Sequence, residues 1–135
     1  MKRSARATVW MQSWRLLALL TLSLPAQAEI VEVAWDLNGR FERLLRVAPG
    51  KFVELCGKLP AKTQVQWQFD AEAATDFNIH FHEGKLVRYP AKKDAVTSAD
   101  GTLEVSRDED YCWMWTNVSK SPVAVKVQLA RLAAR

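Results

Sequence analysis

Two histidines, His80 and His82, are the only ones in the chain, and they stand two residues apart in "DFNIHFHEG", residues 76 to 84. Phe77, Ile79 and Phe81 alternate with them. In a β-strand, residues i and i+2 share a face and lie about 6.6 Å apart along the chain. Both imidazoles therefore point the same way, opposite the Phe/Ile/Phe side. Two imidazoles on one face can close on a single copper or zinc ion at metal–nitrogen distances of about 2.0 Å. Glu83 sits in the adjoining turn and completes a predicted metal set of His80, His82 and Glu83. Met114 is a soft candidate for a further ligand. A second reading is plainer. The apolar side of this strand faces the core, so the histidines lie on the outer side, where polar residues are ordinary.

A second constellation is "YCWMW", in which Tyr111, Trp113 and Trp115 share one face and Cys112 and Met114 the other. If Cys112 points inward, the three aromatics form an exposed ligand-binding wall. If the aromatics point inward, they fill the core together with Trp67 and Trp35, and Cys112 lies outside. Should the histidine and aromatic faces coincide, His80, His82, Trp113 and Trp115 would form one patch for a metal, a planar ligand or another protein.

The elements that must position these residues read as strands. "TQVQWQFD" alternates Val65, Trp67 and Phe69 with three glutamines, and "VAVKVQL" places Val123, Val125, Val127 and Leu129 on one face. Such alternation marks strands with one buried side. Turn signals fall at Asn38-Gly39, Pro49-Gly50, Glu83-Gly84 and Asp100-Gly101. "RFERLLRV", residues 40 to 47, is compatible with a strand or a helical turn. No sustained helical period follows residue 50. About eight short strands predict an all-β fold, an antiparallel β-sandwich.

The chain opens with Lys2, Arg3, Arg6 and Arg15, then "LLALLTLSL" and Ala26-Gln27-Ala28. This order of basic, apolar and small residues predicts a signal peptide over 1–28 with cleavage after Ala28. The apolar run of about 9 residues is short of the 20 that a membrane helix needs, so no transmembrane segment is expected in the mature chain. Residues 29–135 are expected to form a single periplasmic or secreted domain with one core.

The whole chain carries 19 Lys+Arg and 15 Asp+Glu. Four of the bases and none of the acids precede residue 29, so the remainder has 15 of each. No basic excess remains to follow a phosphate backbone, which argues against nucleic acid as a partner. Cys56 and Cys112 are the only cysteines. An even number in an exported chain predicts one disulfide; the alternative is a pair of buried thiols. There is no G-x-S-x-G elbow, phosphate-binding glycine loop or C-x-x-C, and no enzyme activity is expected. Asn117-Val118-Ser119 would be a glycosylation acceptor in a eukaryotic secretory chain.

The pieces "VELCGKLP", "VQWQFDAEAATDFNIHFHEG", "GTLEVSRDEDYCWMWTNVS" and "VAVKVQL" resemble the GOLD (Golgi-dynamics) domain over about residues 50 to 129. The resemblance implies a β-sandwich of jelly-roll type, a Cys56–Cys112 bond between an early and a late strand, and a binding role. "HFHEG" is not part of that family's pattern, and the chain stops at "LAAR". Two functions follow from these readings. One is an exported binding protein with a copper, zinc or small-ligand surface around the histidines. The other is a protein–protein interaction module of the cell envelope, in which the histidines only solvate a strand.

Overall fold

The computed structural model describes residues 28–132. The predicted signal peptide lies almost wholly outside them. Seven strands follow one another with no helix among the described residues: β1 (Glu29–Glu32), β2 (Arg40–Val47), β3 (Phe52–Leu59), β4 (Gln64–Glu83), β5 (Leu86–Glu104), β6 (Glu109–Asn117) and β7 (Val123–Leu132). They join in one sheet of order β1-β3-β6-β4-β7-β2, with β5 on the other side of β4. Every pair is antiparallel except β1 with β3, which is parallel.

Strand β4 organises the molecule. Its first half, Gln64 to Ala71, pairs with β7, and its second half, Thr75 to Phe81, pairs with β6. Between them the register against β5 slips, from Asp70↔Ser98 to Thr75↔Val96. Extra residues in one strand bend it and increase its twist. Here the extra residues lie in "AEAA", residues 71 to 74. The sheet curls at this point until its two halves face each other as layers.

The core lies between the halves. Trp67 and Phe69 come from the first half of β4 and meet Phe77 from the second half at ring-centroid distances of 5.0 and 4.8 Å. Trp115 meets Phe69 nearly edge-on at 5.5 Å. Tyr111, Trp113 and Trp115 are fully buried. The indole N–H groups of Trp113 and Trp115 have no acceptor. Asn117 pins the end of β6. Its Nδ2 donates to the carbonyls of Val47 and Ser121 at 2.9 and 2.7 Å, and its Oδ1 accepts from the Ser119 amide and hydroxyl. A side chain so enclosed is no acceptor for a glycan in the folded chain.

Two expectations are corrected here. The strands number seven rather than about eight, and the sheet is mixed rather than wholly antiparallel. The alternating segments around Val65–Phe69 and Phe77–Phe81, expected as separate strands, are joined within β4, and the expected turn at Asp100-Gly101 lies inside β5. The order β1-β3-β6-β4-β7-β2 and the parallel β1–β3 pair describe this sheet, and the jelly-roll connectivity implied by the resemblance is not confirmed. "RFERLLRV" is a strand, with Leu45 and Val47 buried and Leu44 exposed. Gly39, Gly50 and Gly84 adopt positive φ in turns, but Gly101 lies inside β5 opposite Trp67. A Cβ at Gly101 would come within 2.7 Å of the Trp67 indole. Gly101 thus makes room for a ring and does not turn the chain.

Candidate functional site

In an antiparallel pair, directly opposed residues share a face. The register therefore decides the question that alternation alone leaves open. Cys56 is opposite Cys112, and Cys112 is opposite His80. Val53 and Leu55 are opposite Trp115 and Trp113, which in turn oppose Phe77 and Ile79. The aromatics of β6 therefore line the core. The cysteines and histidines lie together on the outer face. Tyr111, Trp113 and Trp115 have no exposed surface, so the expectation that they could wall a ligand site is corrected: they and the histidines occupy opposite faces. The Cys56–Cys112 disulfide is formed and ties neighbouring strands β3 and β6 on the outside.

Outer-face rows can be read across β3, β6, β4 and β5. One row is Cys56, Cys112 and His80; the next is Glu54, Met114, Asn78 and Lys92. His80 is only 7% exposed although it lies on the outer side. Its Nδ1 is 2.8 Å from Asn78 Oδ1, also buried, so Nδ1–H donates to that oxygen. Its Nε2 is 3.9 Å from Glu54 Oε1. Burial lowers the His80 pKa below its ordinary value; Glu54 opposes that shift and His82 adds to it. The imidazole is thereby favoured in its neutral form.

The predicted trio of His80, His82 and Glu83 is not brought together. His82 is exposed, and its ring lies 5.6 Å from that of His80, steeply inclined to it. Glu83 is held by Arg88 Nε and Arg107 Nη1, each at 2.8 Å. Hydrogen bonds from these two guanidinium groups lower its pKa. Instead, ligand atoms of Glu54, His80 and Cys112 lie within 4.8 Å of one another. Spacing does not single out Glu54, yet "VELC" holds the signal, because Glu54 and Cys56 alternate with Val53 and Leu55.

Beside this cluster stands the β4–β5 hairpin. Leu86, Val87 and Tyr89 are 57, 39 and 55% exposed, three large apolar groups within four residues. Val87 is opposite His82, and the Tyr89 ring lies 6.0 Å from the His80 ring, so both flank the histidine face. The register slips between Arg88 and Ala91, and Pro90 falls in that slip, a position suited to a residue without an amide donor. Residues 84–93, "GKLVRYPAKK", contain Lys85, Arg88, Lys92 and Lys93 and no acid. Lys92 Nζ stands 5.9 Å from the centre of the Tyr89 ring, and the Arg107 guanidinium 5.8 Å from that of Phe81. Among the described strands β5 pairs with β4 alone, so its outer backbone edge is unpaired. Lysine and proline on an edge are ordinary protection against edge pairing. That protection does not explain the exposed apolar trio.

The outer face of the other half carries a groove of about 780 Å³. Its floor includes Gln68, Gln128 and Glu42, which hydrogen-bond one another in series. Hydrogen bonding by Gln128, with Lys126 close by, lowers the Glu42 pKa. These groups already partner one another, as expected for a solvated sheet face.

No protein-family model matches the sequence, and no curated protein matches it. The GOLD resemblance therefore has no support from that side. Solved structures do match. A periplasmic lysozyme inhibitor of g-type lysozyme, PliG, from Aeromonas hydrophila is 9% identical with a TM-score of 0.63, over 78% of this chain and 98% of that one. The fold is shared. The PliG of Salmonella Typhimurium is 8% identical with a TM-score of 0.56, over 78% of this chain and all of its own. The pre-peptidase C-terminal domain of a Bacillus anthracis collagenase is 8% identical with a TM-score of 0.51, over 81% and 98%. No helix among the described residues is long and apolar enough to cross a membrane.

Proposed function

We propose that this protein is an exported, non-catalytic module that binds another protein through its β4–β5 hairpin. The observation that carries this reading is the exposed Leu86, Val87 and Tyr89 on an unpaired strand edge, among Lys85, Arg88, Lys92 and Lys93. Apolar and aromatic side chains concentrate in the cores of protein interfaces, with polar rims around them. An unpaired edge also offers backbone groups to an added strand. The basic rim fits a partner with acidic groups around an apolar centre, since complementary charge guides encounter and register.

Two further observations support the reading. The basic, apolar and small-residue order of the first 28 residues supports export. The PliG structures, described as periplasmic inhibitors of g-type lysozyme, support a protein partner and a periplasmic setting. A g-type lysozyme is therefore the first named partner to assay, although the shared fold does not by itself carry that specificity.

The test places a photo-reactive amino acid at Tyr89 in one variant and at Gln66, on the opposite outer face, in another. Both are illuminated in intact cells. A discrete protein adduct from position 89 that is absent from position 66, and lost with Lys92→Glu/Lys93→Glu, is expected. Identical adduct patterns from both positions, or no protein adduct from either, would count against the hairpin.

A further inference from the structure

We propose that reduction of the Cys56–Cys112 disulfide opens a zinc site built from Cys56, Cys112, His80 and Glu54. The four residues are neighbours on the outer face for reasons of register. Cys112 lies between Cys56 and His80 across three strands, and Glu54 precedes Cys56 by two residues on β3. One atom each from Glu54, His80 and Cys112 already lies within 4.8 Å of the others. Cys56 Sγ lies 3.7 Å from Glu54 Oε2.

The histidine is oriented as a ligand. Asn78 Oδ1 accepts a hydrogen bond from Nδ1–H at 2.8 Å, so the Nε2 lone pair remains free. A hydrogen bond at one ring nitrogen is what fixes the other nitrogen toward a metal. That lone pair faces Glu54 Oε1 at 3.9 Å, with both side chains largely removed from water at 8% and 15% exposure. Two electron-rich atoms facing each other in a sheltered place favour a cation between them. With the disulfide intact, only the imidazole and the carboxylate are competent ligands, because thiolates rather than disulfide sulfurs bind metal. Two more ligands are needed for the tetrahedral sites typical of structural zinc, and thiolates at about 2.3 Å from the metal supply them. A mixed sulfur, nitrogen and oxygen set suits zinc.

The chemistry balances with a dithiol as reductant. The disulfide gains two electrons and two protons and becomes two thiols, while the dithiol becomes a disulfide. As zinc binds, each cysteine thiol releases its proton to solvent and coordinates as thiolate. Cys56 is partly exposed, which gives a reductant an approach from the outer face. The same pair of cysteines would then staple β3 to β6 covalently when oxidised and through the metal when reduced. This inference does not depend on the hairpin as a docking surface.

Zinc affinity is measured by competition with a chromophoric chelator, for the oxidised protein and for protein reduced with a phosphine that does not bind zinc. Far-ultraviolet circular dichroism is recorded on the same samples. The reduced protein is expected to bind one zinc at least 100-fold more tightly than the oxidised protein, with its β-sheet spectrum retained. His80→Gln and Glu54→Gln, each in the reduced form, are expected to weaken binding at least about tenfold, and Glu42→Gln, exposed on β2 away from the cluster, to leave it unchanged. Equal affinity in the two redox states overturns the proposal. So does reduced-state binding indifferent to His80→Gln and Glu54→Gln, or binding accompanied by loss of the sheet spectrum, which would mean capture by thiols on an opened chain.

Discussion

Gly101→Ala isolates one packing decision in this fold. The position is inside β5, directly opposite Trp67, and lies outside the positive-φ region. An added methyl therefore meets a contact problem and not a backbone one. Its carbon would stand 2.7 Å from Trp67 Cζ2, 3.0 Å from Cε2 and 3.3 Å from Nε1. The indole cannot retreat freely, because Trp67 is buried and packs on Phe77 at 5.0 Å. Overpacking of this kind costs about 1–3 kcal/mol. Alanine regains about 0.5–1 kcal/mol over glycine within a strand. The net expectation is a loss of about 1–2 kcal/mol, or roughly 5–10 °C in Tm for a domain of this size. In a Trp67→Phe background the crowding ring is smaller, and Gly101→Ala should change sign and stabilise by about 0.5 kcal/mol. Urea and thermal unfolding of the four proteins in this cycle give the comparison. Stabilisation by Gly101→Ala in the unaltered background, or additivity of the two changes within about 0.5 kcal/mol, would refute the view that Gly101 is a seat for the Trp67 ring.

Other perturbations have equally definite outcomes. The disulfide closes a separation of 56 residues, so Cys56→Ser/Cys112→Ser should lose about 4 kcal/mol in the chain-entropy account, read from the urea midpoint; a loss below about 1 kcal/mol would contradict it. Asn117→Ala removes four hydrogen bonds from a buried side chain and should cost about 2–4 kcal/mol, against little change for an exposed asparagine such as Asn38→Ala. The His80 pKa lies below its ordinary value of 6.5 chiefly through burial. The unfolded chain therefore takes a proton before the folded one, and stability is full above about pH 6.5 and falls as pH drops from there through the folded value. His80→Gln should flatten that part of the stability profile, and an unchanged slope would exclude His80 as its source.

Much of the layered core is legible in the sequence, because Val65, Trp67, Phe69, Phe77, Ile79, Phe81 and the valines of β7 alternate with polar residues. The inside of β6 is less so. "YCWMW" has apolar groups on both faces, and alternation cannot choose between them. The choice depends on the partner strand. "VELC" pairs Cys56 with the polar phase of β3, and a disulfide to Cys112 then turns Tyr111, Trp113 and Trp115 inward. Strand count was obscured for another reason. Asp100-Gly101 has the composition of a turn, but its glycine accommodates Trp67 from the neighbouring strand, a long-range cause that local composition does not contain. In "AEAAT" the bend comes from a register slip against β5 and a change of pairing partner, with no glycine or proline to mark it. The histidine face was legible as an outer face, but not as a sheltered one. His80 is enclosed because Asn78, Glu54 and Tyr89 arrive beside it from three strands. Sequence order alone places Glu83 beside it, whereas Arg88 and Arg107 draw that carboxylate away.

The most direct measurement of the docking proposal is the affinity of the partner captured at Tyr89 for three proteins at two salt concentrations. These are the unaltered chain, Lys92→Glu/Lys93→Glu on the hairpin, and Gln66→Glu/Gln68→Glu on the opposite outer face. The hairpin reversal should weaken binding at least tenfold, which is about 1.4 kcal/mol, with the deficit shrinking as salt rises. The opposite-face pair should shift affinity less than about twofold, within the range of surface changes away from contacts. Equal losses from the two pairs, or a loss confined to the Gln66 and Gln68 face, would contradict the assignment of the β4–β5 hairpin as the binding surface.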